Sequence, residues 1–158
     1  MDKLGFDEFV TRRAGVLWQS AWYLTGDRHK AEDLVQTALA RTYGRYSKCA
    51  TDRAFEVYLR TTMYRVYCSW WRRKWNAERP TAQLPETHWQ DQKPDLDLRR
   101  ALAALPKMQR AVLVLRYFED RTIAETAQLL GISAGSVKTH ASRGIASLRL
   151  SLKLVEEE

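Results

Sequence analysis

The spacing of apolar residues predicts that the first half of the chain is helical. Apolar side chains recur there every three or four residues, the period of an α-helix with one buried face. We predict one helix over 6–24, a second that ends at about residue 46, and a third over 53–75, with a loop at 47–52. Thr25-Gly26-Asp27 ends the first helix and caps the second, because glycine stops a helix and aspartate starts one.

The second half shows the same period over shorter segments. We predict helices over 95–105, from Pro106 to about residue 119, from Thr122 to Gly131, and from Ser133 to about residue 154. Thr122-Ile-Ala-Glu125 has the spacing of a capping box, in which the hydroxyl and the carboxylate each accept a free backbone N–H. Neither half shows the alternating polarity of a β-strand.

The stretch between the halves breaks the pattern. Residues 76–94 contain Pro80, Pro85 and Pro94 and only scattered apolar side chains, and prolines interrupt helices. Fully extended, such a linker spans roughly 60 Å. We therefore predict an all-α fold of two small helical domains, 1–75 and 95–154, joined by a flexible linker over 76–94 and followed by an acidic tail at 155–158.

Charge narrows the choice of partner. Lys and Arg outnumber Asp and Glu by 26 to 19, for a net charge of +7. Residues 41–75 hold nine basic residues against two acids, and residues 133–153 hold four against none. Two separate basic patches suit two contacts with a nucleic acid, although two solvated helix faces explain the charge equally well.

Several classes of function lack the residues they need. Cys49 and Cys68 form no CxxC pair, and no histidine stands at a metal-ligand spacing from either, so we expect no metal site and no disulfide. There is no glycine-rich phosphate loop and no nucleophile–base pair, so we expect neither a cofactor nor an enzyme. The absence of a long apolar run argues against membrane insertion, and a reducing cytoplasm fits.

Residues 122–149 read as a helix-turn-helix. Two helices joined by a short turn with Gly131 share apolar positions, and the second helix is basic without acids, which favours DNA binding over a plain helical hairpin. Gly135-Ser-Val-Lys-Thr-His140 also resembles the recognition helix of response-regulator output domains, so the motif alone leaves the class of regulator open. The side chains expected to reach base edges are Ser136, Lys138, Thr139, Ser142 and Arg143.

The helix predicted over 53–75 has two unlike faces. One is apolar, with Phe55, Leu59 and Met63 among its core positions. The other interleaves basic and aromatic side chains, which suits single-stranded DNA because charges follow phosphates and rings stack on unpaired bases. That face comprises Arg53, Arg60, Tyr64, Arg65, Trp71, Arg72 and Trp75, with Tyr58 at its border.

Three segments carry a family resemblance. Gly26-Asp27, followed by Ala31-Glu-Asp-Leu-Val-Gln36, looks like the polymerase-binding helix of sigma factors, and Ala101-Leu-Ala-Ala-Leu-Pro-Lys-Met-Gln-Arg110 looks like the entry to their fourth region. With the helix-turn-helix, the chain resembles the extracytoplasmic-function (ECF) group of bacterial sigma-70-type RNA polymerase sigma factors.

The resemblance implies a different binding role for each of these segments. Asp33 and Gln36, and more weakly Glu32, would bind the coiled coil of the largest polymerase subunit, although Thr37 stands where an acidic residue is common. The helix over 53–75 would recognise and open the −10 element, and the 47–52 loop would hold a flipped-out base, with Lys48 and Asp52 as contacts. The helix-turn-helix would read the −35 element.

The resemblance implies two partners, core RNA polymerase, through that coiled coil and the flap, and promoter DNA. An anti-sigma factor is a further partner that many members of the family have. Two alternatives stay open from the residues alone. One is a stand-alone helix-turn-helix regulator with a helical sensing domain. The other is a helical adaptor that binds acidic proteins, which would leave the helix-turn-helix unexplained.

Overall fold

The computed structural model describes residues 3–77 and 96–157, and the side chains of 3–70 and 97–153 within them. All regular elements in these ranges are helical, so the all-α prediction with two helical regions is confirmed. The helices are α1 (Phe6–Thr25), α2 (Arg28–Thr42), α3 (Asp52–Ala77), α4 (Leu96–Ala103), α5 (Lys107–Leu113), α6 (Ile123–Leu130) and α7 (Ala134–Glu157).

The predicted breaks correspond to capping interactions. Gly26 ends α1 in the left-handed conformation, with φ of 71°, and the Asp27 carboxylate accepts the Lys30 N–H at 2.9 Å to begin α2. Thr122 and Glu125 form the predicted capping box at the start of α6. The helix signals in the sequence therefore fix where these elements begin and end.

The structure differs from the sequence predictions at several boundaries, and residues 47, 48 and 52 of the predicted loop belong to helices. α2 gives way to a 3₁₀ helix over Tyr43–Lys48, and α3 continues through Ala77, so residues 76 and 77 belong to a helix rather than to the linker. The rest of the predicted linker lies outside the described residues. α7 continues to Glu157, so most of the predicted acidic tail is helical, because nothing in the sequence breaks the helix there.

Aromatic rings form the centre of the first half. Phe6, Phe9, Tyr46 and Phe55 form a cluster with Tyr43, in which ring centroids lie between 4.8 and 6.2 Å apart. All of these ring pairs meet edge to face except Phe9 and Tyr46, which are tilted. Around them, α1, α2 and α3 bury their aliphatic faces. This cluster joins the start of α1 to the 3₁₀ helix and to the start of α3.

The two halves pack against each other, whereas the linker length left room for two widely separated domains. Tyr23 of α1 contacts Phe118 of the second half, with centroids 4.9 Å apart, and the guanidinium of Arg99 on α4 lies 4.1 Å from the ring of Trp22. Buried side chains of both halves belong to one continuous core. The physical reason is that α1 presents aromatic surface on a second side, which α4 and α5 cover.

The described ranges contain no candidate for a membrane-spanning helix. None of the helices there is both long enough and apolar enough to cross a bilayer.

Candidate nucleic-acid and polymerase interfaces

The start of α3 presents part of the predicted −10 surface to solvent. Arg53, Tyr58 and Arg65 are exposed, and the guanidinium of Arg45 lies 5.0 Å from the centre of the Tyr58 ring. Arg45 thus places a cation beside the Tyr58 ring, an arrangement that suits single-stranded DNA.

Two predicted −10 residues have a different environment. Tyr64 is 1% exposed, and its hydroxyl donates to the carboxylate of Glu119, which follows α5. Arg60 donates from Nη1 to the same carboxylate at 2.6 Å and to Ser20 Oγ at 3.2 Å. The prediction that Tyr64 faces away from the core is therefore wrong for this arrangement, because the second half covers it.

Burial and charge act together on this contact. Burial and the neighbouring Glu119 carboxylate raise the pKa of Tyr64, so its phenol stays protonated as a donor. Burial alone would lower the pKa of Arg60, but the carboxylates of Glu119 and Glu56 outweigh it and raise that pKa. The Glu119 side chain is only 2% exposed, and it accepts hydrogen bonds from both Tyr64 and Arg60. A buried network of this kind is costly to leave partly unpaired.

A π-helical turn brings Glu119 to this position. The turn spans Val114–Phe118, and the Glu119 N–H donates back to the Val114 carbonyl at 2.9 Å. Asp120 then adopts a left-handed conformation, with φ of 55°, which ends the helix. The wider turn and the abrupt end direct the Glu119 side chain towards α3.

Glu56 links α1 to α3 beneath the same surface. Arg13 donates to both of its carboxylate oxygens at 2.8 Å, and Arg60 Nε donates at 2.9 Å. Burial raises the pKa of Glu56, but the hydrogen bonds from Arg13 and Arg60 outweigh burial and hold the pKa below its ordinary value of about 4.5.

We expect the hydrogen bonds of Glu56 with Arg13 and Arg60 to make the free energy of unfolding depend on pH. A carboxylate with a lowered pKa in the folded state stabilises the fold above its unfolded-state pKa, and this contribution is lost as the pH falls through the folded-state value. Urea unfolding between pH 6 and pH 3 should show a smaller acid-induced loss in Glu56→Gln than in wild type. Glu8→Gln, at a solvent-exposed pair with Arg12, should follow wild type, and equal slopes in all three proteins would contradict the assignment.

The 47–52 loop places its two predicted DNA contacts in unlike surroundings. Lys48 is exposed. Asp52 is half-buried and already bonded, since one carboxylate oxygen accepts the Leu4 N–H at 3.1 Å and the other accepts the Tyr46 hydroxyl at 2.7 Å. The sequence indicated neither of these partners.

The predicted polymerase-binding residues share one exposed face of α2. Glu32, Asp33 and Gln36 are exposed, while Leu34 and Val35 between them are buried against the neighbouring helices. Thr37 is partly buried. The face is free within the described chain and carries two carboxylates without a described ion pair, so it can accept hydrogen bonds from a basic partner.

The helix-turn-helix has the predicted geometry. Gly131 ends α6 with φ of 72°, and Ser133 Oγ accepts the Ser136 N–H at 3.0 Å to begin α7. Val137 and Ala141 face the core. The opposite face of α7 exposes Lys138, Thr139, Ser142 and Arg143, with Ser136 partly exposed.

The end of the predicted −10 surface extends beyond the side chains that the structure describes. The side chains of Trp71, Arg72 and Trp75 lie outside the described residues, so their role in −10 binding stays a prediction.

Among the described residues, no group of His, Cys, Asp and Glu has the arrangement of a metal site, and both cysteines are free thiols.

Family models cover both halves of the chain. Residues 9–77 match sigma-70 region 2, and residues 95–148 match sigma-70 region 4. The region 2 match contains α2, α3 and the loop between them, and the region 4 match contains the helix-turn-helix.

Sigma factors from other bacteria are similar in sequence to nearly the whole of this chain. The RNA polymerase sigma-E factor of Streptomyces coelicolor is 44% identical over 94% of this chain and 86% of its own length. The ECF RNA polymerase sigma factor SigX of Bacillus subtilis is 28% identical over 90% of this chain and 80% of its own.

Solved structures agree on the fold. The sigma factor RpoE of Bartonella quintana, crystallised with the anti-sigma factor NepR, superposes with a TM-score of 0.66 at 23% identity, covering 94% of this chain and 96% of that one. CnrH, in complex with the cytosolic domain of CnrY, gives a TM-score of 0.55 at 22% identity, covering 94% and 87%.

Proposed function

Because the chain belongs to the extracytoplasmic-function group of sigma-70-type RNA polymerase sigma factors, we propose how its surfaces divide the work of promoter recognition. The exposed face of α2 binds the coiled coil of the largest polymerase subunit. The 47–52 loop and α3 bind the opened −10 element, and the exposed face of α7 reads the −35 element in the major groove. The polymerase flap receives the second half.

One observation supports this division above the others. Within a chain matched by regions 2 and 4, the predicted polymerase-binding and −35 residues all lie on exposed or partly exposed helix faces whose opposite sides are buried. We assign no catalytic step to the chain, because bond formation belongs to the polymerase. The protein would act in the cytoplasm, where polymerase and promoter DNA meet.

An anti-sigma factor is a further expected partner. RpoE of Bartonella quintana was crystallised with the anti-sigma factor NepR. We extend that partnership to this chain as a class only, since its residues identify no particular anti-sigma factor.

Run-off transcription tests the proposal. Purified core polymerase is given a library of promoter DNA with and without this protein. We expect specific transcripts only when both components are present, with start sites that reveal shared −10 and −35 sequences. No transcripts, together with a specific duplex shifted by the protein alone and no binding to core polymerase, would favour the stand-alone regulator instead.

Arg143→Ala should weaken −35 recognition. Losing one arginine contact to DNA costs about 1–3 kcal/mol, roughly 5- to 150-fold in affinity, and changes the salt dependence if the contact is to phosphate. Arg149→Ala is the control, because Arg149 is also exposed on α7 but six residues further along, on a different face. Transcription from −35-dependent promoters over a salt titration measures the effect, and wild-type behaviour of Arg143→Ala would remove that residue from the interface.

Asp33→Ala should weaken binding to core polymerase without affecting the fold. Asp33 is exposed and has no described ion pair, so we expect unchanged stability and about a tenfold loss of affinity, as for a charged hydrogen bond removed from an interface. Affinity for core polymerase is measured by fluorescence titration. Asp7→Ala, an exposed acid on α1, is the control, and equal affinities of the two variants would contradict the α2 assignment.

A further inference from the structure

Lys3 joins the N-terminal segment to the end of the 3₁₀ helix, whose last two residues also belong to the predicted 47–52 loop. Its ammonium group donates to the carbonyl of Tyr46 and, at 2.9 Å, to the carbonyl of Cys49. It also lies 4.1 Å from the centre of the Tyr46 ring. Carbonyls at a helix C-terminus carry partial negative charge, so a cation there stabilises the turn.

The backbone of the same segment holds Tyr46 and Asp52. The Gly5 N–H donates to the Tyr46 hydroxyl at 2.9 Å, and that hydroxyl donates to one oxygen of Asp52 at 2.7 Å. The Leu4 N–H donates to the other oxygen at 3.1 Å. Gly5 has φ of 95°, a conformation that favours glycine and turns the chain into α1.

These bonds attach both ends of the loop to one support. Tyr46 precedes the loop and Asp52 closes it, and the segment 3–5 contacts each of them, while Tyr46 is fixed in the aromatic cluster with Phe9 and Phe55. The residues between them, including Lys48, are largely exposed. The support therefore restrains the loop at its base and leaves its outer side chains available for a ligand.

We propose that the segment 3–5 is a brace for the 47–52 loop, and that Lys3 and Asp52 are positioning residues for −10 recognition. The inference rests on the proposed role of this loop in holding a flipped-out base. It reassigns Asp52, whose two carboxylate oxygens are both occupied inside the protein, from contacting DNA to shaping the loop that does. A base pocket formed from a loop is selective only when the loop is held in one conformation.

Two substitutions separate the brace from a direct contact. Lys3→Met keeps most of the aliphatic stem and removes the charge and its donors. Asp52→Asn keeps the shape but replaces one acceptor oxygen with an amide donor, which opposes an N–H or O–H group. If both residues act through the loop, both variants lose selectivity at the same −10 positions, and the double variant loses little more than either single variant.

The first readout is amide hydrogen exchange of the free protein, prepared with no added residues before Met1. We expect exchange at residues 47–51 to be about tenfold faster in Lys3→Met and Asp52→Asn, because local opening of the loop is less costly. Lys3→Arg should restore wild-type protection. Lys153→Met, the same change at an exposed position on α7, should leave the loop unaffected.

The second readout is run-off transcription by holoenzyme from a library randomised at the −10 element. We expect the preference between the best and worst base at the loop-read position to fall about tenfold in both variants, with −35 preference and core polymerase affinity unchanged. Unchanged −10 preference in Lys3→Met, or unchanged exchange in the loop, would overturn the brace. A change in Asp52→Asn alone would restore Asp52 as a direct contact. Failure of wild type to direct any transcript would instead refute the proposed function.

Discussion

Glu119→Ala is expected to lower the free energy of unfolding by about 2–3 kcal/mol and to loosen the packing between the two halves. The substitution leaves the Tyr64 hydroxyl buried without its acceptor and removes one carboxylate from Arg60. Breaking a buried ion pair costs about 3–5 kcal/mol, and an unsatisfied buried hydroxyl about 1–3 kcal/mol. Arg60 keeps Glu56 as a partner, so its charge is not left unpaired and the cost of breaking a buried ion pair does not apply in full. The expected loss therefore lies within the range for the unsatisfied hydroxyl.

Urea unfolding and small-angle X-ray scattering measure this effect. We expect a lower midpoint and a larger radius of gyration than in wild type. Tyr64→Phe and the double variant complete a mutant cycle, whose coupling energy should exceed about 0.5 kcal/mol for groups in one network. Glu8→Ala is the control, because the pair of Glu8 with Arg12 is exposed and worth little. Wild-type stability and dimensions in Glu119→Ala would show that this contact does not hold the halves together.

This contact has a consequence for DNA binding. Arg60 and Tyr64 belong to the predicted −10 surface, yet both are hydrogen-bonded to Glu119, whereas Lys138 and Arg143 of the predicted −35 surface remain exposed in the same arrangement. Direct use of Arg60 and Tyr64 on DNA therefore requires the halves to move apart. Binding of the −10 strand and closure of the halves would compete for the same side chains, so a partner that favours one disfavours the other.

The helices themselves were predictable because local signals determine them. The Thr122–Glu125 capping box, the left-handed glycines Gly26 and Gly131, and the Asp27 cap act within four residues of where they stand, and each is present in the structure. The exposed face of α7 was predictable for a related reason. Its apolar positions are committed to the core, so helical geometry alone leaves Lys138 and Arg143 outside.

The contacts between distant segments were not predictable from periodicity. A helical pattern assigns each residue a face, but it does not say which second surface covers that face. Tyr64 lies on the polar side of α3 by its spacing, and Glu119 reaches it only through a π-helical turn that leaves no signal in the sequence. Lys3 binds the carbonyls of Tyr46 and Cys49, which are 43 and 46 positions away in the sequence, and Leu4 is 48 positions from Asp52.

Arg110→Met is expected to destabilise the protein by about 2–4 kcal/mol. Arg110 belongs to the second half and, like Glu119, binds residues of the first half. The Arg110 side chain is 7% exposed. It donates from Nε to the Leu24 carbonyl at 3.1 Å and from its terminal nitrogens to the carbonyls of Ala103 and Thr25 at 3.4 and 3.5 Å. α1 has no basic residue in its own last turn, so Arg110 of α5 supplies the cation at that helix end.

The size of this effect follows from what methionine leaves behind. Methionine fills similar space but donates nothing, so the carbonyls at the end of α1 lose a charged donor and remain largely enclosed. A Cβ added at Gly26 would lie 3.3 Å from Arg110 Nη1, which shows how closely the side chain packs against this helix end. Urea unfolding measures the loss, and Arg100→Met, at an exposed arginine of α4, is the control. If Arg110→Met and Glu119→Ala both act on the packing of the halves, each should also enlarge the radius of gyration. A destabilised Arg110→Met protein with wild-type dimensions would instead assign Arg110 to the stability of its own half.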